Sequence, residues 1–193
     1  MKPLRTVTSP AVVLRDDNID TDRIIPARFL TTTSSEGLGN VAFQDWRFDE
    51  AGDPRPEFAF NDPRAAGAQI LVAGHNFGCG SSREHAAWAL FDLGIRVVIS
   101  TEIADIFRAN AARNGILPIV IGGADHAKLQ SKPFETMTVD LNACTITPAD
   151  GPPISFSVDA FMRRCLLDGV DHLGFLLSHL DQIEAFDTAR GNA

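Results

Sequence analysis

The chain of 193 residues is 45% hydrophobic and 22% charged, ordinary values for a globular protein long enough to bury a core of its own. Its 17 basic and 25 acidic residues give a formal net charge of −8 with no basic run, so a nucleic-acid partner is not expected. The opening MKPLRTVTSP has no apolar stretch after its charges, and no apolar run reaches the ~18 positions of a spanning helix, so no membrane is expected and a cytoplasmic location is the default.

In chain order, residues 11–14 read as a short strand, followed by the polar turn that opens DDNIDTDRIIPARFL. The next segment, TTTSSEGLGN, is small, polar and without apolar period. It reads either as a mobile loop over a site or as a solvated connector. Residues 46–64 are rich in Pro, Asp and Gly and predict an irregular surface path. The centre then alternates in type. Residues 69–73 read as a buried strand, 83–93 as a helix with Ala87, Leu90 and Phe91 on one face, closed by Gly94, and 95–100 as a strand. Residues 102–113 follow as a second amphipathic helix, closed by Asn114 and Gly115, and 116–121 as a further strand. That order is the pattern of parallel strands with crossover helices, and Pro118 puts the last strand at an edge or starts it later.

Beyond the centre, residues 136–147 alternate apolar and polar around Asn142 like a hairpin, 154–158 offer one more strand, and the tail reads as two amphipathic helices separated near Gly169. The expectation is an α/β fold with an antiparallel addition, one domain over 1–193, with the C-terminal helices of about 159–190 as an appendage. Cys79, Cys144 and Cys165 are odd in number, far apart and in no C-x-x-C pair. They are expected to be free thiols, with no complete zinc or iron–sulfur site inside the chain.

The residues that carry chemistry sit at one corner, VAGHNFGCGSSREHA, residues 72–86, between a strand and a helix. Ser81 and Glu84 have the spacing of a capping box, which would give both a structural role. Gly78, Gly80, Ser82 and Arg83 are left over by that explanation. Glycines before a helix start let backbone approach a ligand, the first-turn amides attract an anion, and Arg83 supplies a planar cation matched to a carboxylate. Phosphate would fit the same physics. However, no lysine follows the glycines as in a P-loop, and the dinucleotide fingerprint breaks at its third glycine. Cys79 is a conceivable nucleophile, with His75 and His85 as nearby bases, but packing roles are the more frequent fate of such residues.

GHNFGCGSSREHAAWAL, with NIDTDRIIPARFL before it, GIRVVISTEIADIFRANAARNGILPI after it and the tail CLLDGVDHLGFLLSH, resembles the small subunits of 3-isopropylmalate dehydratase in the aconitase superfamily. The resemblance spans nearly the whole chain in order. It implies a swivelling β/β/α domain like the last domain of aconitase, and a hydro-lyase that isomerises 2-isopropylmalate to 3-isopropylmalate through isopropylmaleate in leucine biosynthesis. It further implies a separate large subunit whose cysteines hold a 4Fe–4S cluster, so that this chain binds no metal and is inactive alone. Ser81 matches the general base, Arg83 the arginine that grips a substrate carboxylate, and Ser82 a residue lining the same corner. Asp20, Thr21 and Asp22 match a motif close to the site, for which a structural role in shaping the loop is expected. Relatives acting on tricarboxylates place an arginine just after the leucine equivalent to Leu30. Here Thr31 follows, and an arginine-free loop suits an isopropyl group better than an anion. The competing readings are a related hydro-lyase subunit, for citramalate or homoaconitate, and a non-catalytic carboxylate-binding regulatory module. An isolated small subunit would expose an apolar patch, making a homo-oligomer of the lone chain an expectation.

Overall fold

In the computed structural model, which describes residues 1–31 and 33–191, seven strands form one mixed sheet. These are β1 (Thr6–Leu14), β2 (Ile70–Ala73), β3 (Val97–Ser100), β4 (Leu117–Val120), β5 (Thr136–Asp140), β6 (Thr145–Thr147) and β7 (Ile154–Ser155), in the order β4-β3-β2-β1-β5-β6-β7. The strands from β4 to β1 run parallel, and those from β1 to β7 pair antiparallel.

The two halves meet inside a single strand. Ala11 to Leu14 pair with β2, whereas Thr6 to Pro10 pair with β5. Burial follows this division: the first half of β1 alternates, as a one-sided antiparallel strand must, and the second half is buried on both faces, as a covered parallel strand must be. Pro10, which has no N–H to give to a ladder, stands where the pairing changes. The sequence predicts only 11–14 as strand. TVTSP escapes because its alternation is short and a proline ends it.

On one face, buried residues of α1 (Thr21–Ile24), α3 (His85–Asp92) and α4 (Asp105–Arg113) join Val12, Leu14, Leu71, Ala73 and Val98 in one core; α2 (Gln44–Arg47) lies at its rim, where Trp46 packs against it. On the other face, Leu129 of α5 (Gly123–Gln130) and Leu166 of α6 (Ala160–Asp168) cover Ala11, Val13, Ile70, Val72, Ile99 and Ile119. Pro118 lies in β4, which pairs with β3 alone and so forms an edge, as expected. The hairpin of β5 and β6 also forms, its turn held by Asp140 accepting from the amides of Asn142 and Ala143.

The 46–64 segment follows an irregular surface path as expected, with no residue in it fully buried. It wraps Phe58 and Phe60 against Phe43, with ring centroids 5.7 and 5.5 Å apart, and Phe43 is fully buried. Helix α5 has no counterpart in the sequence reading, because two glycines open it and it buries only His126 and Leu129. The tail holds three helices rather than two. Gly169, at φ 73°, ends α6 as expected, but the second helix is divided into α7 (His172–Leu177) and α8 (Leu180–Gly191), with Ser178 bonding back to the Phe175 carbonyl at the break. Neither α7 nor α8 buries a residue, and Leu173, Leu177 and Phe186 are 63%, 58% and 59% exposed. Among the described residues no helix is long and apolar enough to cross a membrane.

Candidate active site

The corner leaves the carboxyl end of β2, beside the carboxyl end of β1, where open parallel sheets build their sites. Its course is fixed by polar contacts at every second or third residue. Buried Ser100, at the end of β3, places its hydroxyl 2.6 Å from the Gly74 carbonyl and 2.7 Å from that of Glu102. The Phe77 amide then donates to Glu102, the Ala104 amide donates back to Phe77, and the Phe77 ring meets Phe107 edge-on at 5.3 Å. Gly78 follows at φ +75°, so close that a Cβ would run into the Phe107 ring. The glycine there is a matter of space as well as backbone conformation.

The segment after β1 supplies the other wall. The Gly78 amide donates to Ile19 and the Thr21 amide to Cys79, an isolated parallel bridge between Asp20 and Cys79. Asp20 caps α1 by accepting from the Arg23 amide at 2.8 Å. Buried Thr21 uses its hydroxyl as acceptor for the Ser81 amide at 3.0 Å. Asp22 receives a 2.7 Å hydrogen bond from the Arg83 guanidinium, with both side chains partly in solvent. The Asp20-Thr21-Asp22 triplet therefore divides three roles among its members. Asp20 starts the helix, Thr21 anchors Ser81, and Asp22 aims Arg83.

The capping box is not formed. Helix α3 begins at His85 with Glu84 at its cap position and no side-chain cap, so Ser81 stands four residues upstream in extended loop. Asn114 has taken the Glu84 carboxylate at 2.7 Å. That leaves the half-buried Ser81 with its backbone fixed and, among the described residues, no partner for its hydroxyl. Within the same limits the amides of Ser82, Arg83 and Glu84 are given to no acceptor of the chain. A free hydroxyl, a run of uncommitted amides and one guanidinium make a corner suited to an oxyanion and to proton transfer beside it.

The other sequence-predicted residues are placed as follows. Leu30 ends a short turn of helix, Ala27–Phe29, and packs against the core, while Thr31 is exposed. Among the described residues no hydrogen bond or ion pair joins either to Ser81, Ser82 or Arg83. Of the loop over 31–39, Thr32 lies outside the described residues. Its far end is docked: Leu38 is buried, and the Gly39 amide donates to Asp92 of α3 at 2.7 Å. Burial, with the nearby charge of Asp20, pushes the Cys79 thiol up, which disfavours the thiolate and weighs against a nucleophilic Cys79. His75 hydrogen-bonds Thr101 at 3.2 Å and lies 3.4 Å from Glu102, on the shoulder of the loop.

The sequence reading has Asn114 only as the end of the second central helix, which it is, and missed the contacts that Asn110 and Asn114 make with the corner. Their signal was present as two asparagines one helical turn apart on a helix whose other inward residues are apolar. The three cysteines lie in the corner, the β5–β6 turn and α6, and among the described residues no three His, Cys, Asp or Glu gather to hold a metal. Among the described residues, then, the three thiols stand apart and form no ligand set for an iron–sulfur cluster. A cavity of about 400 Å³ at the end of β1, lined by Arg15, Asp45, Trp46, Arg55 and Phe58 among others, includes none of the corner residues.

Comparison with known proteins converges on one group. A family model described as the aconitase C-terminal domain matches residues 1–123, which take in the parallel strands and the corner. A protein of Anaeromyxobacter dehalogenans named 3-isopropylmalate dehydratase small subunit is 55% identical over 190 residues, 98% of this chain and 100% of that protein. One of the same name from Chloroflexus aurantiacus is 48% identical, covering 98% of this chain and 96% of its own. A crystal structure of 3-isopropylmalate dehydratase from Methanocaldococcus jannaschii superposes with a TM-score of 0.70 at 27% identity, covering 94% of this chain and 99% of that one.

Proposed function

The chain belongs to the aconitase C-terminal domain family, among the small subunits of the hydro-lyase 3-isopropylmalate dehydratase, and from that premise we propose that it supplies the proton-transferring half of a two-chain active site. The substrate is 2-isopropylmalate, converted to 3-isopropylmalate by loss and re-addition of water through isopropylmaleate. The observation that carries this reading is the uncommitted Ser81 hydroxyl on a backbone anchored by Thr21, two residues before Arg83, whose guanidinium Asp22 holds.

In this mechanism Arg83, held on one side by Asp22, turns its remaining N–H groups to a substrate carboxylate, with Ser82 lining the same corner. The Ser81 alkoxide takes a carbon-bound hydrogen of the bound dicarboxylate as a proton and becomes the neutral hydroxyl, while the carbon–oxygen bond on the neighbouring carbon breaks and hydroxide leaves. On hydration the hydroxyl gives the proton to that neighbouring carbon as hydroxide adds to the other, which restores the alkoxide and completes the isomerisation. A serine is a poor base in water. The free amides of Ser82 to Glu84 and the Arg83 charge stabilise its anionic form with dipoles that need not reorganise. These are loop amides rather than the end of α3, which starts too late to serve Ser81 directly. One component lies outside this chain: a 4Fe–4S cluster on the large subunit supplies Lewis acidity toward the departing hydroxyl. An open corner with no ligand set of its own is consistent with a site completed by a second polypeptide, and the chain alone is inactive. At the loop, Leu30 and the uncharged Thr31 favour an isopropyl group over a third carboxylate.

The test is reconstitution with a large subunit and turnover on 2-isopropylmalate. Ser81→Ala is expected to lower kcat by roughly 10²–10⁴-fold with assembly and melting temperature unchanged. Turnover near that of the unaltered pair would refute the assignment, and faster turnover on citramalate or homocitrate would replace the substrate.

A further inference from the structure

Helix α4 reaches the corner with two side-chain amides. Asn110, only 7% exposed, donates from Nδ2 to the Ser82 carbonyl at 3.1 Å. Asn114, one turn on, donates to Glu84 Oε1 at 2.7 Å and to the Asn110 carbonyl at 2.8 Å. Asparagine is a poor helix former and a costly group to bury without partners, so Asn110, buried inside α4, requires a use, while Asn114 stands half-buried at the helix end. Packing does not provide it: the neighbours on that face, Phe107 and Ala111, are apolar and buried. Asn110 instead directs its donor across the gap to Ser82, and Asn114 divides its donors between Glu84, which follows Arg83, and the Asn110 carbonyl.

We propose that Asn110 is a positioning residue of this site, with Asn114 as its support. The proposal rests on the reading of Ser81 as the base. The bond to the Ser82 carbonyl fixes the plane of the Ser82–Arg83 peptide. With Thr21 holding the Ser81 amide, the two contacts clamp the Ser81–Ser82 stretch to α1 at one residue and to α4 at the next. The same bond polarises that peptide, so the uncommitted Arg83 amide becomes a stronger donor to a negative oxygen. Asn114 holds Glu84 and keeps the next peptide from swinging into the space that Arg83 needs. Asn110 touches no substrate; it acts through the geometry of residues 81–83.

The reconstituted two-chain enzyme tests this with Asn110→Ala, Asn110→Asp, Asn114→Ala and a Ser81→Ala control. A misplacement of the base and guanidinium is expected to lower kcat of Asn110→Ala by roughly 10–100-fold, with KM raised far less. Asn110→Asp gives the distinguishing signature. Facing a carbonyl, its carboxylate is repelled, but its protonated form donates as the amide did. Its activity relative to the unaltered enzyme therefore rises as pH falls, while that of Asn110→Ala does not. Asn114→Ala, at the half-buried helix end, loses roughly 3–10-fold and keeps the fold testable should the buried position reject alanine. The inference is overturned if folded Asn110 variants keep kcat within twofold. It also fails if Asn110→Asp and Asn110→Ala share one pH profile, or if, with both Asn110 variants unfolded, Asn114→Ala retains full kcat. Should Ser81→Ala itself retain full turnover, the reading of the base fails rather than the clamp.

Discussion

The corner at residues 74–84 and the two last helices, α7 and α8, are opposites in construction. The corner has little regular structure, yet it is tied along its length by named polar contacts: Ser100 to Gly74, Glu102 to Phe77, Thr21 to Ser81, Asn110 to Ser82, Asn114 to Glu84. The last helices are regular, capped by Asp171 at their start, and bury nothing. Local regularity and fixed position are thus separate properties. Helical hydrogen bonds stay within a segment and do not attach it to anything, whereas a few side chains from neighbouring elements can immobilise a loop.

That contrast can be broken or sharpened by substitution. The largest effect on stability is expected at Gly78. Alanine there must take a left-handed conformation and displace the Phe107 ring, for a combined cost of roughly 2–4 kcal/mol, or a fall in melting temperature of about 5–15 °C by thermal denaturation. An unchanged melting temperature would mean the corner is looser than its contacts require.

A smaller, pH-dependent effect belongs to His126, which holds the Ala73 carbonyl at the root of the corner at 2.7 Å. Burial lowers its imidazole from the ordinary value, against the opposing pull of that carbonyl and of Asp17. The folded chain then binds the proton less readily than the unfolded one. Stability is full above the ordinary histidine value and declines as pH falls below it. Denaturant unfolding at a series of pH values should show this decline in the unaltered chain and a flatter one in His126→Gln, which keeps a donor for Ala73. The smallest effect is expected in the tail. Leu176→Ser with Leu177→Ser, both residues being exposed, should shift stability by less than about 0.5 kcal/mol each while reducing self-association by light scattering. A drop comparable to that of Gly78→Ala would show that the tail is anchored after all.

Legibility in the sequence divided along the same line. The parallel core was readable because ILVA, VVIS and LPIV are apolar on both faces and spaced by helices with an inward stripe. The corner's importance was readable from its glycines and from Arg83. What it is tied to was not, since Thr21, Asn110 and Asn114 lie far from it in the chain, and spacing carries no information about contacts across 30 or 60 residues. Ser81 and Glu84 fitted a local rule and obeyed a tertiary one: once Asn114 binds Glu84 and Thr21 binds the Ser81 amide, the helix starts later. Helix α5 went unread because Gly122 and Gly123 argue against any helix and only two of its residues face inward.

The change of partner within β1 also bears on the corner. Thr6 to Pro10 and Ala11 to Leu14 are one continuous backbone serving as the border rail of two ladders. The strand that borders both ladders continues, through the turn that follows it, into Thr21 and Asp22, so one stretch of backbone joins the outer hairpin's neighbour to the two side chains that hold Ser81 and Arg83.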